Sequence, residues 1–140
     1  MFKTTIKYKD YADIDQEEIL RFNIDEDEML DLIAEDVAFN PAFLSVVAAD
    51  QDPQSMYRVI RKLILHSYGE LSEDGKKFRK SPEIMNDFAH SAAYKALLHQ
   101  FFGEDSDPKF TQEFILGIFP SKIVDELKKQ GFDQKVVPMK

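Results

Sequence analysis

The chain has 140 residues, 44% of them hydrophobic, and a net charge of −8. That is the length of one ordinary domain with enough apolar content for a core, which excludes wholesale disorder. The absence of cysteine excludes disulfide scaffolds, thiolate zinc sites, iron–sulfur clusters and cysteine nucleophiles, no apolar run approaches a membrane span, and the acidic balance argues against nucleic acid as a partner.

Residues 2–8 alternate, with Phe2, Thr4, Ile6 and Tyr8 on one side and Lys3, Thr5 and Lys7 on the other. Period two predicts a half-buried strand with a basic outer face, and the N-terminus does not read as a signal peptide. Asp10 to Asp15 is a polar connector. Residues 18–24 alternate again, with Leu20, Phe22 and Ile24 on one face, so residues 1–24 read as a β-hairpin with a loop longer than two residues.

Asp25 followed by Glu28 is a helix-starting pair. Met29, Leu32, Ile33 and Val37 then form one helical stripe, with Asp27, Asp31 and Glu35 opposite. Asn40-Pro41 should end that helix, and residues 42–49 (AFLSVVAA) read as a short buried helix. Asp52-Pro53 restarts the chain. Met56, Ile60, Leu63 and Ile64 form the next stripe, with Arg58, Arg61 and Lys62 on the other face and Gly69 as a left-handed stop.

Residues 69–80 are polar. Asp74-Gly75 signals a tight turn, Leu71 and Phe78 are its apolar pins, and the 68–82 motif reads as a structural turn between two helices rather than a site. Ser81-Pro82-Glu83 should begin one helix that runs to about residue 102. Gly103 to Asp107 is a linker. Asp107-Pro108 starts a helix bearing Phe110, Phe114 and Ile118 at i+4 spacing, and Pro120 starts a last one that ends at Gly131. The predicted fold is therefore α+β and mainly α: one domain, with a hairpin over 1–24, about five helices over 25–131 and a loose tail over 132–140.

Charge is strongly segregated. Residues 1–9 carry +3, residues 10–54 carry 14 acids against one base, and residues 55–80 carry 7 bases against 3 acids. Such runs are usually solvated faces or face each other in the fold. The sharper alternative is a two-signed surface that orients copies of the chain or a partner.

The search for chemistry is negative. His66, His90 and His99 form no HxxxH, HxE or HExxH pattern, and neither a GxGxxG nor a P-loop occurs. Asp13, Asp15, Glu17 and Glu18 lack the glycine and spacing of a calcium loop. No arrangement suits nucleophilic or acid–base catalysis, so neither an enzyme nor a cofactor or metal is expected. What stands out is 12 Phe without Trp, with a late cluster at Phe101, Phe102, Phe110, Phe114, Phe119 and Phe132. These rings either fill the core or form an apolar surface for another chain. The first five are the candidate partner-binding residues. On the surface reading, a Phe110→Ser, Phe114→Ser change abolishes partner solubilisation and leaves the monomer folded.

The run YRVIRKLILHSYGELSEDGKKFRKSPEIMNDFAHSAAYKALLHQFF over residues 57–102 resembles the tail assembly chaperones of long-tailed, siphovirus-like bacteriophages. The elements that carry the likeness are Ser67-Tyr68-Gly69-Glu70, Ser72-Glu73-Asp74-Gly75, the basic stretch through Phe78, Lys80-Ser81-Pro82-Glu83, Phe88 and Ala93-Tyr94. The opening MFKTTIKYKDY and the FNI before the acidic helix are similar too; residues 40–50 depart from the pattern. The resemblance implies a non-catalytic helper in the host cell cytoplasm that binds and solubilises the tape measure protein and is absent from the mature virion. It also implies homo-oligomers, and recruitment of the tail tube protein through a longer, frameshifted product. The alternatives are a structural tail or connector component and a small acidic phage protein that binds a host factor.

Overall fold

The computed structural model describes residues 1–35, 53–104 and 106–129. Strands β1 (Phe2–Lys9) and β2 (Asp15–Phe22) pair antiparallel from Phe2↔Phe22 to Lys9↔Asp15. β2 thus begins three residues before the predicted alternation, because its polar first half follows the register of β1. The connecting turn is built by Asp10, whose carboxylate accepts the backbone N–H groups of Ala12 and Ile14 and the Gln16 amide. Those bonds, the Ile14 N–H first, hold its carboxyl below the usual range. Asp13 takes the left-handed conformation, φ 62°, which Asp tolerates in turns.

One hairpin face carries Ile6, Leu20 and Phe22 into the core. Near the turn it becomes polar, where the Tyr8 hydroxyl donates to Glu18, and that bond is the main reason the Tyr8 hydroxyl is pushed up to about 12. Beyond β2 the chain is tied at two points. Asn23 N–H donates to the Ser67 carbonyl and Ile24 N–H to the Ile118 carbonyl, at 2.8 and 2.7 Å.

Helix α1 (Glu26–Glu35) starts as the Asp25/Glu28 pair predicts, with the Glu28 carboxylate accepting the Asp25 N–H at 3.1 Å. Met29 and Leu32 are buried. Val37, Asn40-Pro41, the 42–49 segment and the Asp52 cap lie outside the described residues. Helix α2 (Pro53–Ser67) buries the whole predicted stripe of Met56, Ile60, Leu63 and Ile64, with Val59 beside it.

From Ser67 the chain passes directly into β3 (Tyr68–Leu71), which pairs with β2 and with β4 (Phe78–Arg79). The sheet is fully antiparallel in the order β1-β2-β3-β4. This corrects two expectations. The 68–82 motif is a second hairpin, not a simple turn, and Gly69 is a strand residue, not a left-handed stop. A Cβ at Gly69 would stand 2.6 Å from Phe78 Cε2 and 2.9 Å from the Arg79 carbonyl. The glycine is there so that β3 and β4 can approach. The Asp74-Gly75 turn does form: Gly75 has φ 75°, and the Asp74 carboxylate accepts Ser72 Oγ and Lys76 N–H. Leu71 and Phe78 stand directly opposite each other.

The expected single helix of 82–102 is two, α3 (Pro82–Ala89) and α4 (Ala92–Phe102). Ser81 caps the first as predicted, accepting Ile84 N–H at 3.1 Å. The break falls at His90-Ser91, where Ser91 Oγ donates to the Phe88 carbonyl and accepts Tyr94 N–H. One hydroxyl therefore closes one helix and opens the next. The bend lets Phe88 stack on Tyr68 at 3.8 Å while meeting Tyr94 edge-on at 5.4 Å. Helix α5 (Pro108–Ile118) starts at its Asp107 cap, and α6 (Ser121–Lys129) follows Pro120. The predicted end at Gly131 and the tail lie outside the described residues.

The α+β, mainly helical class is as expected, with six helices described rather than about five and a sheet of four strands rather than a hairpin alone. Helices α4 and α5 pack on β1, and α2 on β2, so the helical layer covers one face of the hairpin. Lys80 ties the second hairpin to α1, with its ammonium on Glu28 at 2.8 Å and on the Asn23 carbonyl.

Half-buried His66 sits in the last turn of α2. Burial is the main reason that its pKa lies below 6.5; Lys62 and Lys80 push the same way, Glu35 and Glu28 the other. A depressed histidine is neutral in both states at pH 7 and is protonated more readily in the unfolded chain. Its share of stability is therefore lost as pH falls from 6.5 through the folded value. Urea unfolding of the wild type is expected to weaken between pH 7 and pH 5, and His66→Gln to flatten that part of the profile. Identical profiles would exclude this role.

Candidate partner-binding surface

The five late phenylalanines do not share one environment. Phe114 is fully buried and meets Phe2 at 5.4 Å, Phe22 at 5.6 Å and Phe101 at 5.1 Å, all three nearly edge-on. Phe101 and Phe119 are also buried. Phe110 is half-buried, 4.8 Å from Phe101 and 5.7 Å from Phe2. Only Phe102 opens to solvent, with 41% of its surface exposed. Phe101, Phe110 and Phe114 thus belong to one ring cluster with Phe2, and three of the five, Phe101, Phe114 and Phe119, are core. The reason is geometric: α4 and α5 are laid on β1, and Phe2, which the hairpin alternation turns inward, needs rings against it.

Helix α2 supplies a surface aromatic that sequence reasoning missed. Tyr57 is 40% exposed and its ring lies 5.0 Å from Phe102. Periodicity alone did not mark it: Tyr57 is one residue past Met56 but three before Ile60 and seven before Ile64, which puts it at the margin of the buried stripe. Leu30 and Ile19 are also exposed, off the buried faces of α1 and β2.

Basic side chains share the two helices of the Tyr57–Phe102 pair, and exposed Glu104 lies two residues beyond Phe102. Arg58, Arg61 and Lys62 lie on the exposed side of α2, and Lys95 and His99 on that of α4. Arg61 Nε donates to the Tyr94 hydroxyl at 3.1 Å, and Lys95 Nζ lies 5.6 Å from the Tyr94 ring centroid. Burial pushes the Tyr94 hydroxyl up and Arg61 partly offsets it. Tyr57 and Phe102 thus form an exposed aromatic pair on helices whose outer sides carry Arg58, Arg61, Lys62 and Lys95. Rings of this kind anchor interfaces, and rim charges set encounter rate and register.

Among the described residues no group of three His, Cys, Asp or Glu side chains is placed to hold a metal ion, and no helix is long and apolar enough to cross a membrane. No curated protein and no solved structure matches the chain. A family model described as phage tail assembly chaperone matches residues 1–139. The two-layer fold of this 140-residue chain accordingly belongs, over nearly its whole length, to the phage tail assembly chaperone family.

Proposed function

We propose that this chaperone binds and solubilises the tape measure protein during tail morphogenesis, without catalysis, in the host cytoplasm. In the same reading it acts as an assembly of copies, helps recruit tail tube subunits through a longer frameshifted product, and leaves before the virion matures. The observation that supports this most directly is the solvent-open pair Tyr57 and Phe102, on helices whose exposed sides carry Arg58, Arg61, Lys62 and Lys95. Such a surface suits the apolar face of an amphipathic helix with acidic flanks. Of the five late phenylalanines, Phe102 makes the contact in this reading, and Phe110 is half-buried between Phe2 and Phe101. Phe101, 6.1 Å from the Phe102 ring, backs it from the core, and Phe114 and Phe119 are core.

Co-expression of the full chain with the tape measure protein tests this. The ruler is expected to become soluble and to co-purify with the chain. Tyr57→Ala with Phe102→Ala should cut recovery about tenfold or more while leaving the melting curve near that of the wild type, as truncating exposed anchors does. A ruler that stays insoluble beside folded wild-type chain would overturn the reading. So would finding the chain as a stoichiometric component of purified particles.

A further inference from the structure

Besides Tyr57 and Phe102, the exposed large apolar residues include Met1, Tyr11, Ile14, Leu71, Leu30 and Ile19, and the last two lie in fields of opposite sign. Leu30 is 69% exposed on α1. It shares an outward stripe with Asp27, Asp31 and Ala34, all exposed, and α1 carries five acids and no base. Ile19 is 55% exposed on the outer face of the β1–β2 hairpin. Thr5 stands opposite it, Lys3 and Lys7 lie diagonally across on β1, and Glu17 and Arg21 flank it along β2. Three cations and one anion therefore lie next to Ile19 on its sheet face, whereas every charged residue of α1 beside Leu30 is an acid.

Each surface also carries an internal electrostatic cost. Lys3 and Arg21 are directly opposed in the strand register, and like charges so placed destabilise a sheet. Asp27 and Asp31 are four apart on one helix, as are Asp31 and Glu35, which is unfavourable in the same way. Bringing the two surfaces together would turn both costs into attraction and remove two apolar side chains from water. Within one chain they do not meet, since Leu30 and Ile19 are both open to solvent.

We infer that the α1 stripe centred on Leu30 docks on the outer hairpin face centred on Ile19 of a second copy of this chain. Stripe against stripe, or hairpin against hairpin, would set like charges together, so the contact joins unlike surfaces. The contact deepens the proposed function by naming what joins the copies, and it leaves the Tyr57–Phe102 platform free for a client. Repetition along a long client would then add avidity to contacts that are individually weak.

Sedimentation velocity of the full chain alone, without any client, tests the contact. Mean mass is expected to rise with protein concentration and to fall as salt is raised from about 0.1 M to about 1 M, where the screening length drops from about 10 to about 3 Å. Asp31→Lys and Lys3→Glu should each weaken association about tenfold or more, and an equimolar mixture of the two should restore it, because each reversed surface then finds its complement. Lys3→Glu also removes the opposed pair with Arg21, so its fold is not put at risk. Leu30→Gln, a helix-compatible change at an exposed site, should weaken association with an unchanged melting curve. A chain that stays monomeric at every concentration would overturn the inference, as would variants that associate like the wild type or a mixture that fails to recover. None of these outcomes depends on whether the tape measure protein is the client.

Discussion

Phe114→Ala is expected to destabilise the chain by about 3–5 kcal/mol, the usual cost of truncating a fully enclosed phenylalanine. The ring has no exposed surface and meets Phe2, Phe22 and Phe101, so it joins α5 to both strands of the first hairpin and to α4. The residues around it belong to regular elements and cannot collapse freely into the space. Domains of this kind have about 5–15 kcal/mol of stability in all, so the loss should appear as a large fall in urea midpoint with little change in slope. Phe102→Ala, at an exposed site, should move the midpoint far less. The Phe110→Ser, Phe114→Ser change is then expected to unfold the monomer, contrary to the expectation drawn from the sequence. A Phe114→Ala midpoint equal to that of the wild type would show that the ring does not hold the core.

Gly69→Ala is expected to cost about 1–3 kcal/mol, as overpacking does, through a different mechanism. The added methyl would meet the Phe78 ring at 2.6 Å and the Arg79 carbonyl at 2.9 Å. The ring could turn aside, but the carbonyl belongs to the β3–β4 ladder and can move only if the strands part. Adding Phe78→Ala should therefore recover only part of the loss. Thermal unfolding of the two single variants and the double variant measures this as a double-mutant cycle. Full recovery in the double variant would assign the whole clash to the ring, and an undisturbed Gly69→Ala would remove the packing reason for glycine here.

Local patterns carried much of the fold. The first hairpin was legible because one face is buried and period two is hard to counterfeit over eight residues. The starts of α1, α3 and α5 were legible because Asp25/Glu28, Ser81-Pro82 and Asp107-Pro108 are capping chemistry, which acts within one turn. The second hairpin was not. Strands of four and two residues are too short to show a period, and YGEL contains no alternation to find. The α3–α4 break was missed because Ser91 looks like any helical serine until its hydroxyl is seen serving two helix ends at once.

The candidate surface was legible only in part, since periodicity tells which residues share a face but not what covers that face. Phe110 and Phe114 share a face of α5 and both meet Phe2, more than a hundred residues away in sequence, yet one is half-buried and the other fully enclosed. Phe101 and Phe102 are neighbours in sequence with opposite fates.

By itself, then, the sequence determined the first hairpin, the helix starts, the buried stripes of α1 and α2, the segregated charge and the likeness to tail assembly chaperones. These rest on interactions between residues a few positions apart. Only the tertiary structure decided that Phe101, Phe114 and Phe119 are core, that Gly69 is a strand contact, and that Tyr57 and Phe102 form one exposed platform. Each of those follows from which distant segment lies against a residue, and burial is a property of that meeting rather than of either segment alone.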